Sequence, residues 1–182
     1  MSRGSELISG DTIATRAFGL TGGQYAFRFN TAGGFVSIAA NSRVPYSVAD
    51  PSFPYQTITN GGFFTPVSGI WSFSATVNLD NTGTTANWRV GIGVTSTDTT
   101  ALNAFSSTGS MDSLPWFKAV LPAETTASGL YSGTLKCEAF CSAGTYVKLY
   151  VSCSVPNATF GVRTYSWSPS VNFFSGYLVS GI

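Results

Sequence analysis

The sequence predicts an all-β protein in which short strands pack as a sandwich of two antiparallel sheets. Apolar and polar residues alternate with a period of two from Trp71 to Leu79, as in a half-buried strand. Segments rich in Gly, Pro, Asn, Asp and Ser separate such runs along the 182 residues. Charged residues make up only 9% of the chain, against roughly 25% in typical globular proteins. A β-protein can cover its surface with Ser and Thr instead.

Each predicted strand is an apolar or alternating run that ends at a turn-forming segment. Two pairs of runs predict antiparallel hairpins, one within 61–95 around DNTGTT and one around SAGT at 142–145. No run has the 3.6-residue period of an amphipathic helix. In chain order, we expect strands at 25–30, 35–40, 71–79, 88–95, 116–121, 129–141, 145–155 and 171–179, with loops at 41–59, 96–115 and 156–170.

The charge pattern excludes one class of partner and favours another. Nine basic residues are spread singly between Arg3 and Arg163, and the net charge is +1, so the clustered basic footprint of a nucleic-acid-binding protein is missing. Low charge also indicates that neighbouring molecules cover much of the surface, as in an oligomer or a larger assembly. Residues 1–16 lack the apolar region of a signal peptide. No segment approaches the ~20 apolar residues of a membrane span. We therefore expect synthesis in a cytoplasm, without export or a membrane partner.

Residues for the common catalytic and metal sites are missing or scattered. The chain has no His, which excludes Ser-His-Asp and Cys-His catalysis, and it has no P-loop or zincin motif. A carboxylate pair for glycoside hydrolysis would require folding to bring two distant acidic residues together. Three cysteines at spacings unlike those of zinc ribbons do not predict a metal site. We therefore expect no enzyme activity, no metal and no cofactor.

The three cysteines are expected to be buried free thiols. Cys137 and Cys141 fall on one face of a strand, about 13 Å apart, which is too far for a disulfide bond. Cys137 and Cys153 could face each other across the second predicted hairpin, so a disulfide between these two residues stays open.

Motifs in the centre and at the end of the chain resemble a known superfamily. GGFFTPVSGIWSFSATVNL at 61–79 is similar to the central signature of the C1q/TNF-like superfamily, whose C1q branch has a pattern close to G-x-F-x-x-P-x-x-G-x-Y-x-F-S. The family's late L-x-x-G-D-x-V-x-L is echoed by CSAGTYVKLYV at 141–151, where Thr replaces the Asp. The matching positions are Gly62, Phe64, Pro66 (one residue early), Gly69, Trp71 (in place of the usual Tyr), Phe73, Ser74, Gly144, Val147, Leu149 and, for the closing F-S-G-x-L, Phe174, Ser175, Gly176 and Leu178.

The resemblance spans roughly residues 17–179 and has structural implications. It implies a ten-stranded C1q/TNF-like jelly-roll sandwich over residues 17–182, preceded by a short N-terminal arm at 1–16. Such domains usually form tight homotrimers through one sheet. An ion on the threefold axis stays open, because three copies could each provide one ligand. The aromatic residues that the resemblance makes candidates for the core or the trimer contact are Phe64, Trp71, Phe73, Phe174 and Tyr177.

Low charge, the lack of a catalytic set and a short polar arm together predict a structural virion protein. Jelly rolls of this type are similar to viral knob and decoration proteins. The chain would form a homotrimer that decorates a capsid, serves as a minor capsid protein or forms a fibre head. The expected docking residues of the arm are Arg3, Glu6, Leu7 and Ile8. The expected partners are further copies of the chain, capsid proteins of a virus or phage, and host surface glycans.

The alternative is a soluble, secreted C1q-like recognition module that binds glycans or microbial surfaces. In this interpretation, aromatic side chains on loops stack on sugars. Tyr46, Tyr55 and Trp116 are the candidates, because they lie in segments predicted as loops or next to one.

Overall fold

The computed structural model describes residues 25–31, 35–39, 42–81, 86–96, 117–121, 124–126, 129–153, 159–163 and 172–181. These segments form strands and turns and contain no helix, as the alternation predicted. Ten of the strands have three or more residues, and three have two residues. The strands are β1 (Ala26–Asn30), β2 (Phe35–Ala39), β3 (Ser42–Arg43), β4 (Val48–Ala49), β5 (Phe63–Phe64), β6 (Gly69–Asn81), β7 (Ala86–Thr95), β8 (Phe117–Val120), β9 (Glu124–Thr126), β10 (Gly129–Cys141), β11 (Tyr146–Cys153), β12 (Thr159–Arg163) and β13 (Phe173–Gly181).

β6 is the central strand of a seven-stranded antiparallel sheet. β10 pairs with β6 along its whole length, from Gly69 opposite Cys141 to Asn81 opposite Gly129. The other edge of β6 is therefore shared between β13, which pairs with residues 69–76, and β12, which pairs further along. β1 and then β4 extend the sheet beyond β13, and β2 extends it beyond β12.

β7 and β11 form the centre of the second, six-stranded antiparallel sheet. They pair over all of β11, from Tyr146 opposite Thr95 to Cys153 opposite Trp88. β3 and β5 pair with the other edge of β11, and β8 and β9 pair with the other edge of β7. The two sheets bury their apolar faces against each other, which is how half-buried strands form a sandwich.

The space between the sheets is filled by one cluster rich in aromatic rings. Phe63 lies near its centre, with ring centroids 4.1 Å from Phe27, 4.9 Å from Trp71 and 5.0 Å from Tyr55. Those alternating residues whose side chains the structure describes point inward, as predicted. From the seven-stranded sheet these buried residues include Trp71, Phe73, Ala75, Val77, Leu135, Ala139 and Phe174, and from the six-stranded sheet Val90, Ile92, Val147, Leu149 and Val151.

Both predicted hairpins are wrong. β6 and β7 follow each other in sequence but lie in different sheets, and so do β10 and β11. A turn-forming segment shows that the chain reverses, but not whether the next strand pairs with the previous one or crosses to the other sheet. A strand with one apolar face can bury that face as a member of either sheet. Because β10 and β11 belong to different sheets, Cys137 and Cys153 are not cross-strand neighbours, and Cys137 is a free thiol.

Two predicted loops contain short strands. β3 and β4 lie within 41–59, and β12 lies within 156–170, where it pairs with β2 and β6. β9 falls in a segment for which no strand was expected. These four strands have two to five residues, and their pairing depends on neighbours that are distant in sequence.

Two glycines of the family-like motifs lie where other parts of the chain approach very closely. A Cβ at Gly69 would overlap the carbonyl oxygen of Ser180, and a Cβ at Gly176 would come within 2.8 Å of ring carbons of Phe27 and Phe73. Packing therefore requires glycine at these two positions, because any side chain would displace a neighbour.

Candidate assembly surface on the seven-stranded sheet

The outer face of the seven-stranded sheet is the side that points away from the core. Residues directly opposite each other in an antiparallel pair point to the same face. Thr76 and Thr134 are such a pair, and their hydroxyl oxygens lie 3.0 Å apart. The same register places Ser72 between Glu138 on β10 and Tyr177 on β13. Four strands, β10, β6, β13 and β1, therefore present their side chains side by side on this face.

One end of the outer face carries exposed apolar side chains, which we call the apolar cluster. Ile70 lies directly opposite Phe140. On β13 beside them, Tyr177 lies opposite Ser72, and Val179 is the extra residue of the bulge between Leu178 and Ser180. The exposed fractions of Ile70, Phe140, Tyr177 and Val179 are 41%, 52%, 53% and 49%, respectively. Large apolar side chains that adjoin each other on a surface, with Ser and Glu around them, are typical of an interaction site.

The edge of the outer face that lies farthest from β10 is formed by β1 and β4, and it carries an ion pair. Arg28 Nε lies 3.9 Å from Asp50 Oδ2, which is too long for a hydrogen bond. The Arg28 guanidinium also lies over the Phe173 ring, 4.4 Å from its centroid. Arg28 Nε and Asn30 Oδ1 are buried and have no hydrogen-bond partner in the described part of the chain. This edge therefore carries two weakly paired charges, and its two unpaired polar atoms are out of contact with solvent.

The structure separates the five aromatic candidates. Trp71, Phe73 and Phe174 are buried in the core between the sheets. Phe64 is half-buried on the other sheet, where its ring centroid lies 4.9 Å from that of Tyr146. Of the five, Tyr177 alone lies exposed on the outer face of the seven-stranded sheet.

Sequence reasoning missed the other three members of the apolar cluster, Ile70, Phe140 and Val179. A signal for them is present in the sequence. Ile70 and Phe140 occupy positions that alternation assigns to a polar face. In β13 both alternating sets contain large apolar residues, which indicates a strand covered on both sides. A search for apolar residues on the polar face of each alternating strand would have found them.

The predicted docking residues of the arm, Arg3, Glu6, Leu7 and Ile8, lie outside the described residues. The described fold begins at Tyr25, whose carbonyl oxygen accepts a hydrogen bond of 3.0 Å from the backbone N–H of Leu178. The chain thus enters the seven-stranded sheet beside β13, at the end that carries the apolar cluster.

Neither of the two tyrosines proposed to stack on sugars, Tyr46 and Tyr55, is fully exposed. Tyr46 is buried, and its hydroxyl donates a hydrogen bond of 3.3 Å to the carbonyl of Phe173, so the expectation of an exposed ring is wrong. Tyr55 is half-buried, packs edge-on against Phe63 and donates a hydrogen bond of 3.1 Å to the carbonyl of Phe64. Burial raises the pKa of both hydroxyls. Trp116 lies outside the described residues.

The described residues hold no group of three or more His, Cys, Asp or Glu side chains arranged to bind a metal ion. Burial raises the pKa of the Cys137 thiol to about 11 and that of the Cys141 thiol to about 12. Thiols with such pKa values stay protonated at neutral pH and are poor nucleophiles. No helix within the described ranges has the length and apolar character needed to span a membrane.

Alkylation should report this protonation directly. In a Cys153→Ser variant, we expect Cys137 and Cys141 to react with iodoacetamide at pH 7.5 at least about 100-fold more slowly in the folded protein than in denaturant. Because unfolded thiols ionise near pH 9.0 and these two only near 11 to 12, the unfolded state loses protons first. The stability should therefore fall as the pH rises above about 9. Rapid alkylation of the folded protein at pH 7.5 would contradict their burial.

Comparisons with known proteins support the fold. No protein-family model and no curated protein matches the chain. Its structure is similar to that of the Eiger TNF from S. frugiperda, with a TM-score of 0.58 and 12% sequence identity over 87% of this chain and 94% of that one. It is also similar to the globular domain of zebrafish complement 1qA, with a TM-score of 0.51 and 12% identity over 87% and 99%, respectively. The chain therefore has the predicted C1q/TNF-like jelly-roll fold.

Proposed function

We propose that this chain is a non-enzymatic structural module whose copies associate as a homotrimer through the outer face of the seven-stranded sheet. The observation that carries the proposal is the apolar cluster. Its four side chains are about half exposed, and they do not belong to the core between the two sheets. The resemblance to C1q/TNF-like domains, which usually trimerise through one sheet, gives the number of copies.

Burial of the cluster provides a driving force for association. A fully buried Tyr, Phe, Ile or Val side chain contributes about 1.5–3 kcal/mol relative to an exposed one. Half of that gain is still available at each of the four positions. Several such side chains on three adjacent strands can offset part of the entropy lost on association.

We further propose that the trimer is part of a virion, where it decorates a capsid, acts as a minor capsid protein or forms a fibre head. Low charge and the polar segment at residues 1–16 support this role. This segment would order when it docks to the capsid shell. Secretion as a recognition module for glycans or microbial surfaces is the alternative.

A substitution in the cluster tests trimerisation. We expect the native protein to have the mass of a trimer in light scattering and the Tyr177→Lys variant to have the mass of a monomer. The substitution would bury one added charge from each of three copies in the apolar contact. Ser96→Lys, at an exposed position directly after β7 of the six-stranded sheet, is the matched control and should remain trimeric. A native protein that is monomeric at all concentrations would rule out the proposed assembly.

Removal of the arm tests the virion role separately. The full chain and a version without residues 1–16 should both be trimers, and only the full chain should co-sediment with capsids purified from the source of the gene. If neither version binds capsids while the full chain binds a glycan array, the recognition module replaces the virion role. If neither surface is bound, both roles are wrong.

A further inference from the structure

We propose that four charged side chains determine how neighbouring copies of the trimer align. Lys136 and Glu138 on the β10 edge of one copy contact Arg28 and Asp50 on the β1–β4 edge of the next. This inference rests on the proposed trimer and names the contacts that join its copies. The apolar cluster supplies burial, whereas these charges decide which edges meet.

The four charges lie on the same face of the same sheet, at opposite edges. One row of paired residues crosses four strands and consists of Lys136 on β10, Ser74 on β6, Ser175 on β13 and Arg28 on β1. Asp50 lies just beyond Arg28, because its backbone N–H donates a hydrogen bond of 2.8 Å to the Arg28 carbonyl. Glu138 lies two residues further along β10, on the same face as Lys136. Adjacent strands are about 4.8 Å apart, so roughly 14 Å separates β10 from β1.

A closed ring of copies brings these two edges together. In a cyclic trimer every interface is heterologous, so each copy presents one edge to its left neighbour and the other edge to its right neighbour. The β10 edge offers one positive and one negative charge, and so does the β1–β4 edge. Lys136 therefore meets Asp50, the outermost charge of the other edge, and Glu138 meets Arg28. Only 9% of the chain is charged, which makes two complementary pairs on one face informative.

The two charges on the β1–β4 edge are only weakly paired within one copy. The Arg28–Asp50 pair within one copy is 3.9 Å long and both side chains are about one quarter exposed. Arg28 Nε itself is buried, so a neighbouring copy can reach only the exposed remainder of the Arg28 side chain. A carboxylate from a neighbouring copy can accept from such a guanidinium in a bidentate, charge-assisted geometry. Lys136 and Glu138 themselves are exposed, so they can reach across a subunit boundary.

A different assembly could also use the β10 edge. Two β10 edges paired antiparallel about a twofold axis would place Lys136 opposite Glu138 of the second copy. Exchanging the two charges distinguishes these assemblies. Lys136→Glu with Glu138→Lys keeps the twofold pairing complementary, but it places like charges against Arg28 and Asp50 in the trimer.

The experiment measures trimer dissociation for charge-exchanged variants that all keep the native net charge. We expect Lys136→Glu/Glu138→Lys to raise the trimer dissociation constant at least about tenfold at low salt, and Arg28→Glu/Asp50→Arg to do the same. The variant with all four substitutions should regain most of the native affinity. The increase in the dissociation constant caused by each double substitution should be smaller at about 0.5 M NaCl, because salt screens partly exposed charges. Thermal melts monitored by circular dichroism verify that each variant folds.

The outcomes separate this inference from the proposed function. If the native protein is a trimer and both exchanged variants dissociate no more readily than it does, the register contacts are wrong while the trimer stands. If each exchange weakens the trimer but the combined variant does not recover, the four residues do not face each other. If the native protein is a dimer that tolerates the β10 exchange, the twofold assembly is correct and the trimer itself is wrong.

Discussion

Replacement of Trp71 by Ala is expected to lower the free energy of unfolding by about 3–5 kcal/mol. The side chain is fully buried, and its ring centroid lies 4.9 Å from that of Phe63 and 6.3 Å from that of Phe73. Because a domain of this kind is stable by only about 5–15 kcal/mol, the loss should be visible in chemical denaturation at a fixed protein concentration.

A milder replacement at the same position tests the reason. The indole Nε1 of Trp71 is buried without a hydrogen-bond partner in the described part of the chain. Trp71→Phe removes this unpaired donor and keeps an aromatic ring, so we expect a loss below about 1.5 kcal/mol. Ser96→Ala, at an exposed position directly after β7 of the other sheet, is the control and should change stability by less than about 0.5 kcal/mol. Equal losses for Trp71→Ala and Ser96→Ala would show that the core assignment is wrong.

Replacement of Gly176 by Ala is expected to cost about 3 kcal/mol, at the upper end for overpacking. The new Cβ would lie 2.8 Å from Phe27 Cε1, 2.8 Å from Phe73 Cδ1 and 2.9 Å from the carbonyl oxygen of Ser72. The oxygen belongs to the neighbouring strand and cannot move without disturbing the β6–β13 pairing. Urea denaturation of the variant measures the loss.

A double substitution shows whether the clash is the cause. Phe27→Leu removes one of the two ring atoms that lie 2.8 Å from the new Cβ, so the combined variant should be more stable than the sum of the two single losses predicts. Ser175→Ala, one position away on the outer face, is the control for changes in β13 and should be nearly neutral. Strict additivity of Gly176→Ala and Phe27→Leu would argue against this explanation.

Much of the inward-facing surface was predictable from short stretches of sequence. Alternation alone identified Trp71, Phe73, Val147 and Leu149 as members of one apolar face each, because side chains in a strand alternate with a period of two. The motif residues Gly69 and Gly176 were noticed through a family resemblance. Their physical role, close approach by Ser180, Phe27 and Phe73, became visible only once distant strands were placed together.

Pairing between strands was not predictable by the same reasoning. β6 pairs with β10, β12 and β13 rather than with β7, the next strand in sequence. The polar face of an isolated strand also gives no sign of which neighbours adjoin it. Phe140 therefore looked like one apolar residue among charged ones, until the register placed it beside Ile70.

Period-two alternation and turn chemistry are local properties, and they were enough to predict a β-sandwich with an aromatic core. The family resemblance placed Tyr177 among the candidate contact residues. Only the folded chain shows which sheet each strand joins, and it gathers Ile70, Phe140, Tyr177 and Val179 at one end of an outer face. It also sets Arg28 and Asp50 on the edge opposite Lys136 and Glu138. Contacts between residues about one hundred positions apart depend on the packing of whole sheets, and no local pattern encodes them.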